Sequence, residues 1–328
     1  MKKKKILIAG GAGYIGTRLT TDLLKKGYDV TVLDLLWFGN NLPKQAKLIK
    51  KNIFEADEEM LKGFDRVIFL AGLSNDPMAE YSPALNFIHN ASSPTFLAYM
   101  SKKAGVPRFI YASSCSVYGN SADNLNKETS VTKSLYPYGL SKLQGEFATE
   151  ALADKNFSVI CLRQGTVSGF SPRMRFDLIV NTMYMKAMTE GQITVDNPKI
   201  WRPILAISDA VNVYIKAIEA KSSVKGIFNV SSGNYTVGQV AKTLRKHFKE
   251  RHGINLKVQQ NNIKNFRNYK VSTEKASRVL GLNFRGSVEL ILKELDENVG
   301  KNFDFTNDKY FNIRVFKNIL DSGKIDQI

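Results

Sequence analysis

The chain has few of the residues that build metal centres and disulfide frameworks. Its 328 residues include two cysteines, Cys115 and Cys161, and three histidines, His89, His247 and His252. The cysteine spacing fits neither a zinc motif nor a disulfide scaffold, and we expect the histidines to form no ligand cluster. The sequence therefore predicts no metal site and favours a reducing, cytoplasmic location.

The chain also lacks long hydrophobic runs. No segment reaches the roughly 18 to 20 unbroken apolar residues that a membrane helix needs, so we expect no membrane partner. A lysine-rich start followed by apolar residues resembles a secretory signal, but four glycines between positions 10 and 16 interrupt the apolar stretch. We therefore assign this segment to the fold.

Acidic residues are scarce relative to basic ones. The chain has 47 Lys plus Arg against 30 Asp plus Glu, a formal net charge of +17. Such a balance suits an anionic partner. The lysines are scattered, and no Arg-rich arm or aromatic-interleaved motif is present. The charge thus fits general solubility or a diphosphate substrate better than it fits nucleic acid, and no nucleic-acid partner is expected.

A glycine-rich turn stands between the first strand and the first helix. Residues 6–9 are typical of a buried parallel strand, and residues 14–26 have helical spacing with Gly27 as a C-cap. The turn between them carries Gly10-x-x-Gly13-x-x-Gly16. Glycines allow a tight turn, admit a pyrophosphate close to the backbone, and leave the helix N-terminus free to hold phosphate. The segment predicts a dinucleotide site.

The second strand indicates which dinucleotide binds. Residues 29–33 form the strand and Asp34 follows it, where a carboxylate can accept both ribose hydroxyls and repel a 2′-phosphate. No Lys or Arg lies between Asp34 and Pro43. The sequence therefore favours NAD over NADP.

The order of strands and helices predicts the fold. Further strands are expected at residues 46–51, 66–70, 108–112 and 158–162, separated by helical stretches. Alternating strands and helices indicate an α/β fold, a Rossmann-type doubly wound parallel sheet. We expect an NAD-binding domain over residues 1–165, with a return segment near 200–230, and a smaller C-terminal α/β substrate-binding lobe over residues 166–328.

A tyrosine and a lysine four residues apart follow this region. Tyr138 and Lys142 share one face of a predicted helix, so the ammonium can favour the phenolate by charge attraction. Ser114 lies upstream at a predicted strand end. An isolated pair of this kind is usually a solvated surface pair, and the surrounding motifs favour a catalytic role instead.

Several motifs in order resemble the extended short-chain dehydrogenase/reductase family, and within it the NAD-dependent nucleotide-sugar epimerases and dehydratases. The resemblance extends over nearly the whole chain. It rests on residues 10–16 (GGAGYIG), 70–72 (LAG), 113–119 (SSCSVYG), 138–142 (YGLSK), 162–163 (LR) and 201–203 (WRP).

The resemblance implies a set of NAD-binding residues. Asn52 departs from the family, in which an Asp is usual, and Asn90 is expected to support the active-site helix through a backbone contact. The implied cofactor-binding residues are Gly10, Gly13, Tyr14, Ile15, Gly16, Asp34, Asn52, Ile53, Leu70, Ala71, Gly72, Asn90, Tyr138 and Lys142.

The resemblance also implies the chemistry. Tyr138 would exchange the proton of a sugar hydroxyl while hydride passes between the same carbon, usually C4, and nicotinamide. Lys142 would stabilise the phenolate and bind the nicotinamide ribose, and Ser114 would bind the reacting oxygen. Family dehydratases carry an Asp-Glu pair where this chain has Cys115 and Ser116, so 4,6-dehydration and decarboxylation are disfavoured.

Two catalytic outcomes stay open. Cys115 is one residue away from the catalytic Cys of 3,5-epimerases, so we interpret it as a packing residue. Oxidation followed by return of hydride to the opposite face gives a nucleotide-sugar 4-epimerase, the leading hypothesis. A single transfer gives a C4 dehydrogenase or ketoreductase. A third hypothesis is a non-catalytic relative that binds NAD as a sensor or binds RNA.

The substrate is expected to be a nucleotide-diphosphate sugar. Arg202 matches a pyrophosphate-binding Arg of the family, and Arg267 resembles a second. Arg175 lies in a basic segment that could also meet the diphosphate. Thr166 stands where galactose-type epimerases have Asn. The expected substrate-binding residues are Ser74, Ser116, Thr166, Arg175, Arg202 and Arg267.

Two helices predict the assembly. Residues 86–102 and 138–153 resemble the helix pair that forms the dimer interface in this family, so we expect a homodimer. Pro94 interrupts the first of them. We expect a kink there, or a new helix start with Ser93 as its cap.

Overall fold

The computed structural model describes residues 3–264, 267–299 and 303–323; the ends of both predicted domains, residues 1–2 and 324–328, lie outside this range. The strands are β1 Lys5–Ala9, β2 Asp29–Leu33, β3 Lys47–Ile49, β4 Arg66–Phe69, β5 Arg108–Ser114, β6 Asn120–Asn126, β7 Ser158–Gln164, β8 Thr166–Ser168, β9 Gln192–Asp196, β10 Trp201–Ala206, β11 Gly226–Val230, β12 Gly233–Thr236, β13 Lys257–Asn261 and β14 Asn268–Val271.

Helices flank these strands. They are α1 Tyr14–Lys25, α2 Glu58–Leu61, α3 Asp76–Tyr81, α4 Pro83–Phe87, α5 Ser93–Lys103, α6 Pro137–Glu150, α7 Ile179–Glu190, α8 Ile207–Glu219, α9 Val237–His252, α10 Glu274–Leu280, α11 Val288–Asn298 and α12 Asn312–Asp321.

Seven parallel strands form the central sheet. Their order is β11-β7-β5-β4-β1-β2-β3, with every neighbouring pair parallel. The order reverses beside β1, which leaves a crevice at the carboxyl ends of the strands. The predicted Rossmann-type doubly wound sheet is confirmed.

Each face of the sheet packs into its own core. Ile6 and Ile8 of β1 point into the core that includes α1 and α8, whereas Leu7 and Ala9 point into the core that includes α5. Strands buried on both faces read as continuous apolar runs, which explains why β1 lacks alternation. The segment expected to return near residues 200–230 contains α8 and the edge strand β11.

The second lobe contains short sheets beside the carboxyl edge of the main sheet, and one of them takes its strand β6 from the predicted first domain. Three strands pair in the order β12-β10-β8, and the pairs β13-β9 and β14-β6 are each parallel. Among the described residues, the lobe adds α7, α9 and α11, which pack on one another beside these strands.

The chain around Pro94 stays helical but changes its winding. One π-helical turn, Ile88–Ser92, joins α4 to α5, and Pro94 lies in the first turn of α5. The helical backbone is unbroken from α4 into α5, so there is no new helix start and Ser93 is not a cap. The Ser93 hydroxyl instead donates to the Ile88 carbonyl at 3.0 Å, because Ser93 already has helical backbone angles.

Candidate active site

Two adjoining cavities lie at the carboxyl ends of the central strands. The first, here the glycine cavity, is lined by the turn at residues 10–16 and by Asp34. The second, the tyrosine cavity, is lined by Ser114, Tyr138 and Lys142. They share walls, so they form one continuous cleft. The shared residues are Tyr14, Ile15, Leu70, Ala71, Gly72, Ser74 and Arg175.

The glycine turn is packed against the end of β4. Gly10 has φ +78°, and a Cβ there would lie 2.4 Å from the Ala71 nitrogen. A Cβ on Gly16 would lie 2.5 Å from the Gly10 carbonyl oxygen. The N-cap of α1, Gly13, caps the helix with no side chain, so the first N–H groups of α1 are available to phosphate. This cradle fits the pyrophosphate of NAD.

Asp34 holds the loop after β2 in place. Its carboxylate accepts hydrogen bonds from the Ala12 nitrogen at 2.9 Å and from the Leu36 nitrogen at 2.7 Å. Burial raises the pKa of this carboxyl group above its ordinary value. A carboxylate at this place lines the glycine cavity and has remaining lone pairs for ribose hydroxyls.

Asn52 and Ile53 line the far end of the glycine cavity. Asn52 caps a short 3-10 turn, Ile53–Glu55, and its side chain accepts from the Phe54 nitrogen at 3.1 Å. Asn and Asp are both good caps. The departure from the family's usual Asp therefore keeps the local backbone.

Asn90 lies behind the cleft and lines neither cavity. Its side chain donates to the Leu73 carbonyl at 2.8 Å, and its own carbonyl accepts from the Tyr111 hydroxyl at 2.8 Å. A Cβ on Gly145 would lie 2.3 Å from that same carbonyl, so α6 packs directly on it. The structure thus places Asn90 as a support for α6 and not in the cofactor wall, because its side chain is directed at the backbone after β4.

A buried ion pair positions α6. Glu146 pairs with Arg163 of β7 at 2.5 Å, and it accepts from the Ser113 hydroxyl of β5 at 2.8 Å. Both charged side chains are almost fully buried. Because the pair and its hydrogen bonds join the helix to two central strands, Tyr138 and Lys142 are held over the strand ends.

The catalytic candidates form a connected set in the tyrosine cavity. The Ser116 hydroxyl donates to the Ser114 hydroxyl at 2.9 Å, and Ser114 lies close enough to Tyr138 to lower its pKa. Lys142 donates to the Ala112 carbonyl at 3.1 Å, and its ammonium lies 6.0 Å from the centre of the Tyr138 ring. All four predicted residues therefore lie together.

The electrostatics of this set differ in one respect from expectation. Burial raises the pKa of Tyr138 to about 12, while Ser114 and the positive charge of Arg175 act against the rise. Burial lowers the pKa of Lys142 to about 7. The cation that lowers the Tyr138 pKa is therefore Arg175, since Lys142 is directed at the Ala112 carbonyl.

Cys115 points away from both cavities. Its thiol is fully buried and donates to the Arg163 carbonyl at 3.0 Å. Burial raises its pKa well above the ordinary thiol value. A neutral, buried thiol is inert, in agreement with its interpretation as a packing residue.

All six predicted substrate residues line the tyrosine cavity: Ser74, Ser116, Thr166, Arg175, Arg202 and Arg267. Two of the arginines already have carboxylate partners. Arg267 pairs with Asp76, and Arg175 pairs with Asp177 at 2.8 Å. Arg202 donates to the Trp201 carbonyl at 3.1 Å and lies over the Tyr269 ring. Among the residues the structure describes, Arg202 has no carboxylate within salt-bridge distance.

Sequence reasoning missed part of the glycine cavity wall: Trp37, Phe38, His89, Arg173 and Asn312. The His89 ring lies 5.8 Å from the Trp37 ring, and burial lowers its pKa to about 4. Asn312 begins α12, far along the chain from the glycine turn. The only signal was Arg173 inside a segment already noted for its basic residues.

The expectation that the histidines form no ligand cluster is wrong for two of them. His247 and His252 converge on Asp296, and the possible ligand atoms of the three residues lie within 4.8 Å of one another. No local sequence pattern indicates this cluster, because its carboxylate comes from α11, 44 residues beyond the second histidine.

In the part of the chain that the structure describes, no helix combines the length and apolarity that crossing a bilayer requires.

Comparisons with known proteins agree with this site. The model of the NAD dependent epimerase/dehydratase family matches residues 6–231. A probable UDP-arabinose 4-epimerase from Oryza sativa subsp. japonica is 27% identical over 296 residues, covering 77% of this chain and 71% of the relative.

Two solved structures have the same fold. An NAD-dependent NDP-hexosamine 5,6-dehydratase of tunicamycin biosynthesis superposes with a TM-score of 0.79 at 25% identity, covering 90% of this chain and 99% of the other. A UDP-glucuronic acid 4-epimerase from Bacillus cereus, solved with UDP-glucuronic acid and NAD, gives 0.74 at 23% identity, covering 88% and 97%. The chain belongs to the NAD-dependent epimerase/dehydratase family and is an NAD-dependent nucleotide-sugar enzyme of the extended short-chain dehydrogenase/reductase type.

Proposed function

We propose that this protein is a nucleotide-sugar 4-epimerase that acts by transient oxidation at C4 of the hexose. The observation that carries the proposal is the set Ser116, Ser114 and Tyr138, which lines the tyrosine cavity, and this cavity shares walls with the glycine cavity. The set can move a proton at the mouth of a dinucleotide site.

The chain's residues would manage the proton at the sugar. Tyr138 takes the proton from the C4 hydroxyl and later returns it, while Ser114 binds the same oxygen and exchanges its proton with Ser116. NAD supplies the hydride acceptor and donor at C4. At neutral pH the phenol, with a pKa of about 12, holds its proton. Substrate and cofactor binding must therefore favour the phenolate, a task for which Arg175 and Lys142 are the nearby cations.

The arginines of the second lobe would hold the diphosphate. Arg202 lines the tyrosine cavity without a carboxylate partner among the described residues, and Arg267 lines it while paired with Asp76. A guanidinium binds phosphate through two parallel hydrogen bonds. We expect Arg202 to carry more of this binding than Arg267, since Arg267 must share its charge with Asp76.

The acids of the tyrosine cavity argue against dehydration. A dehydratase needs a carboxylic acid to expel a hydroxyl group, and the described carboxylates in this wall are Asp76 and Asp177. Both pair with arginine. Burial alone would raise the pKa of Asp177, yet the contact with Arg175 holds it below its ordinary value. Asp177 is therefore not a proton donor at neutral pH.

A panel of sugars tests the proposal. Purified protein with NAD is incubated with UDP-, GDP-, CDP- and dTDP-hexoses, and the products are analysed by NMR while absorbance at 340 nm is followed. A 4-epimer without net NADH is the expected result. Net NADH would favour the C4 dehydrogenase, and a 4-keto-6-deoxy sugar would show a dehydratase.

We also propose a homodimer. Several large apolar side chains are exposed on and beside α5 and α6, among them Tyr99 at 49% and Phe147 at 56%. Leu140 and Phe147 are seven residues apart and so share one face of α6. Light scattering at micromolar concentration should give twice the chain mass, and Phe147→Asp should give the monomer mass. A wild-type monomer would refute this proposal.

We place the enzyme in the cytoplasm. Both cysteines are unpaired and buried, and free thiols are typical of a reducing compartment. Fractionation of the producing cell, with the protein in the soluble fraction, is the expected outcome.

A further inference from the structure

Arg173 is a buried cation in the wall of the glycine cavity. It is 2% exposed and comes from the second lobe, in the segment between β8 and α7. Its guanidinium lies 3.8 Å from the centre of the Phe38 ring and donates to the Asn312 side chain at 2.5 Å. Its Nε atom is buried with no hydrogen-bond partner. The side chain is thus fixed on two sides and unsatisfied on a third.

The charge of Arg173 is not balanced by a direct ion pair. Among residues 3–264, 267–299 and 303–323, no carboxylate lies within salt-bridge distance of it, and its neighbour Arg175 is also positive. Burial, followed by the repulsion from Arg175, lowers the Arg173 pKa to about 9. Burying a cation without a counterion costs several kcal/mol. An anion bound in the adjoining cavity would offset this cost.

The neighbours of Arg173 indicate where that anion lies. Asp177, Tyr14 at the start of α1, and Asp34 at the ribose end of the cavity are all near enough to act on the Arg173 charge, and of the two carboxylates only Asp34 lines the glycine cavity. Arg173 lines the glycine cavity and is absent from the wall of the tyrosine cavity. Its position therefore suits the cofactor and not the sugar nucleotide.

We propose that Arg173 is a cofactor-binding residue supplied by the second lobe, whose guanidinium binds the diphosphate of NAD opposite the N-terminus of α1, with Asn312 as its positioning residue. The diphosphate then receives helix N–H groups from one lobe and a guanidinium from the other. A 2′-phosphate at Asp34 is the other phosphate that could reach Arg173. Carboxylate repulsion from Asp34 disfavours it.

The last described helix completes the arrangement. Asn312, the first residue of α12, donates to the Ser74 hydroxyl at 2.6 Å, and its backbone nitrogen donates to Asp177 at 3.3 Å. Phe316, one turn later, packs against Trp37 with a ring separation of 6.0 Å. Because α12 is attached at both points, Asn312 can hold the guanidinium in one orientation.

Binding measurements on Arg173→Met test the proposal without any sugar. Calorimetry with the full chain compares NAD, ADP-ribose, NADP and adenosine. We expect NAD and ADP-ribose to bind about 10- to 100-fold more weakly to the variant, since a hydrogen bond to a charged group contributes about 1.5 to 3 kcal/mol. Adenosine affinity should not change. Arg173→Lys should lose less NAD affinity than Arg173→Met, and Asn312→Ala should also lower the affinity for NAD.

A thermal measurement separates binding from structure. Without cofactor, Arg173→Met should melt at the wild-type temperature or above it, because the variant no longer buries a cation that lacks a direct ion pair. The rise in melting temperature on adding NAD should be smaller for the variant than for the wild type. Arg314→Met, an exposed residue of the same helix, is the matched control and should match the wild type. Unchanged NAD affinity in Arg173→Met overturns the proposal. A larger loss for NADP than for NAD would assign Arg173 to a 2′-phosphate and would equally overturn it.

A second candidate site lies away from the cleft, where two histidines meet an aspartate. His247 and His252 lie on α9, and their Nε2 atoms approach the two carboxylate oxygens of Asp296 on α11, at 2.7 Å and 3.0 Å. The Tyr184 hydroxyl donates to the same carboxylate at 2.9 Å. The three residues are half-buried and line neither cavity of the cleft.

This trio has the composition of a transition-metal site. Two imidazoles and a carboxylate are the ligands that Zn²⁺ binds in open three-residue sites, and ligands of a tetrahedral zinc lie about 3.3 Å apart. The His–Asp distances of 2.7 Å and 3.0 Å are shorter than this and the widest pair of ligand atoms spans up to 4.8 Å, so both the carboxylate and the imidazoles would need to shift on binding. Tyr184 would orient it from behind, and the carbonyl end of α9 favours positive charge. We infer that these residues bind a divalent transition-metal ion that joins α9 to α11.

Zinc binding to the untagged full chain tests this inference. The one other histidine in the sequence is His89, so a histidine-dependent signal has few alternative sources. We expect one equivalent of Zn²⁺ by calorimetry and a melting temperature that rises with zinc. Asp296→Asn and His247→Gln, which keep hydrogen-bonding groups, should abolish both effects, whereas Arg251→Ala beside the site should not. No stoichiometric binding, or equal binding by Asp296→Asn, would show that the trio is only a hydrogen-bonded contact.

Discussion

The two cavities of the cleft recognise their ligands with different parts of the chain. The glycine cavity presents backbone, with Gly10 and Gly16 so close to neighbouring main chain that no side chain fits. The tyrosine cavity presents Arg202 and Arg267, whereas Arg175 lines both cavities and Arg173 lines the glycine cavity. Backbone recognition is fixed by a short stretch of sequence, whereas side-chain recognition is assembled from distant segments. From this difference we expect the first lobe to set the hydride chemistry, and the second lobe to set substrate choice and to add Arg173 to the cofactor site.

Loss of the phenol should have the largest effect. Tyr138→Phe removes the group that exchanges the proton, and we expect kcat to fall by about 10³-fold, within the range of general acid–base catalysis. NAD affinity and melting temperature should be unchanged. Tyr28→Phe, which removes a hydroxyl that bonds Glu219 at the surface, is the control. Steady-state turnover of the epimerised sugar measures both, and full activity in Tyr138→Phe contradicts the mechanism.

The backbone side of the comparison is tested by two glycines with the same conformation. Gly10 and Gly27 both have positive φ, but only a Cβ on Gly10 would meet other atoms, the nearest at 2.4 Å. Gly27→Ala should cost about 1 to 2 kcal/mol of stability through strain alone and keep NAD binding. Gly10→Ala should lose NAD binding by more than about 100-fold through strain plus displacement of the turn.

Calorimetric titration with NAD gives the outcome for both variants. Equal affinities in Gly10→Ala and Gly27→Ala would mean that the close approach to Ala71 is not needed for the cradle.

The side-chain half of the comparison is tested at Arg202. Arg202→Met should raise KM for the nucleotide sugar by about 10- to 100-fold, because charged hydrogen bonds to the diphosphate are lost, with a smaller change in kcat. NAD affinity should stay at the wild-type value. Arg245→Met, an exposed arginine on α9, serves as the control. A fall in NAD affinity, with KM unaltered, would place the diphosphate of the sugar elsewhere.

Lys142 gives the smallest effect, one that depends on pH. Its folded-state pKa of about 7 lies below the ordinary 10.5, so the unfolded chain binds more protons between these values and wild-type stability gains with rising pH. Lys142→Met lacks this dependence. The variant's advantage in unfolding free energy at pH 7 should therefore shrink by pH 9, by at most about 1.4 kcal/mol per unit.

Urea unfolding at the two pH values measures the difference, with exposed Lys249→Met as the comparison. A difference in unfolding free energy between wild type and Lys142→Met that does not change with pH would contradict the burial of a titrating lysine.

The sequence predicted the first lobe better than the second for a physical reason. Buried parallel strands, glycine spacing and the Tyr138–Lys142 pair are local patterns; the parallel sheet is confirmed, and the glycine turn and the pair lie in the walls of the two cavities. Asn90 supports α6 through its backbone carbonyl, as the resemblance implies, but it lines neither cavity because its side chain is directed at the Leu73 carbonyl. Arg173 and Asn312 meet although 139 residues separate them. The convergence of His247, His252 and Asp296 likewise depends on how α9 packs against α11.

The fate of the hydrogen at C4 tests the account most directly. A nucleotide sugar labelled with deuterium at C4 is incubated with enzyme and NAD until the epimers equilibrate, and NMR locates the label. The account predicts complete retention of deuterium at C4 in both epimers with no lasting absorbance at 340 nm, because one bound coenzyme removes and returns it. Exchange of the label with solvent would contradict hydride transfer, and accumulation of NADH would contradict its return.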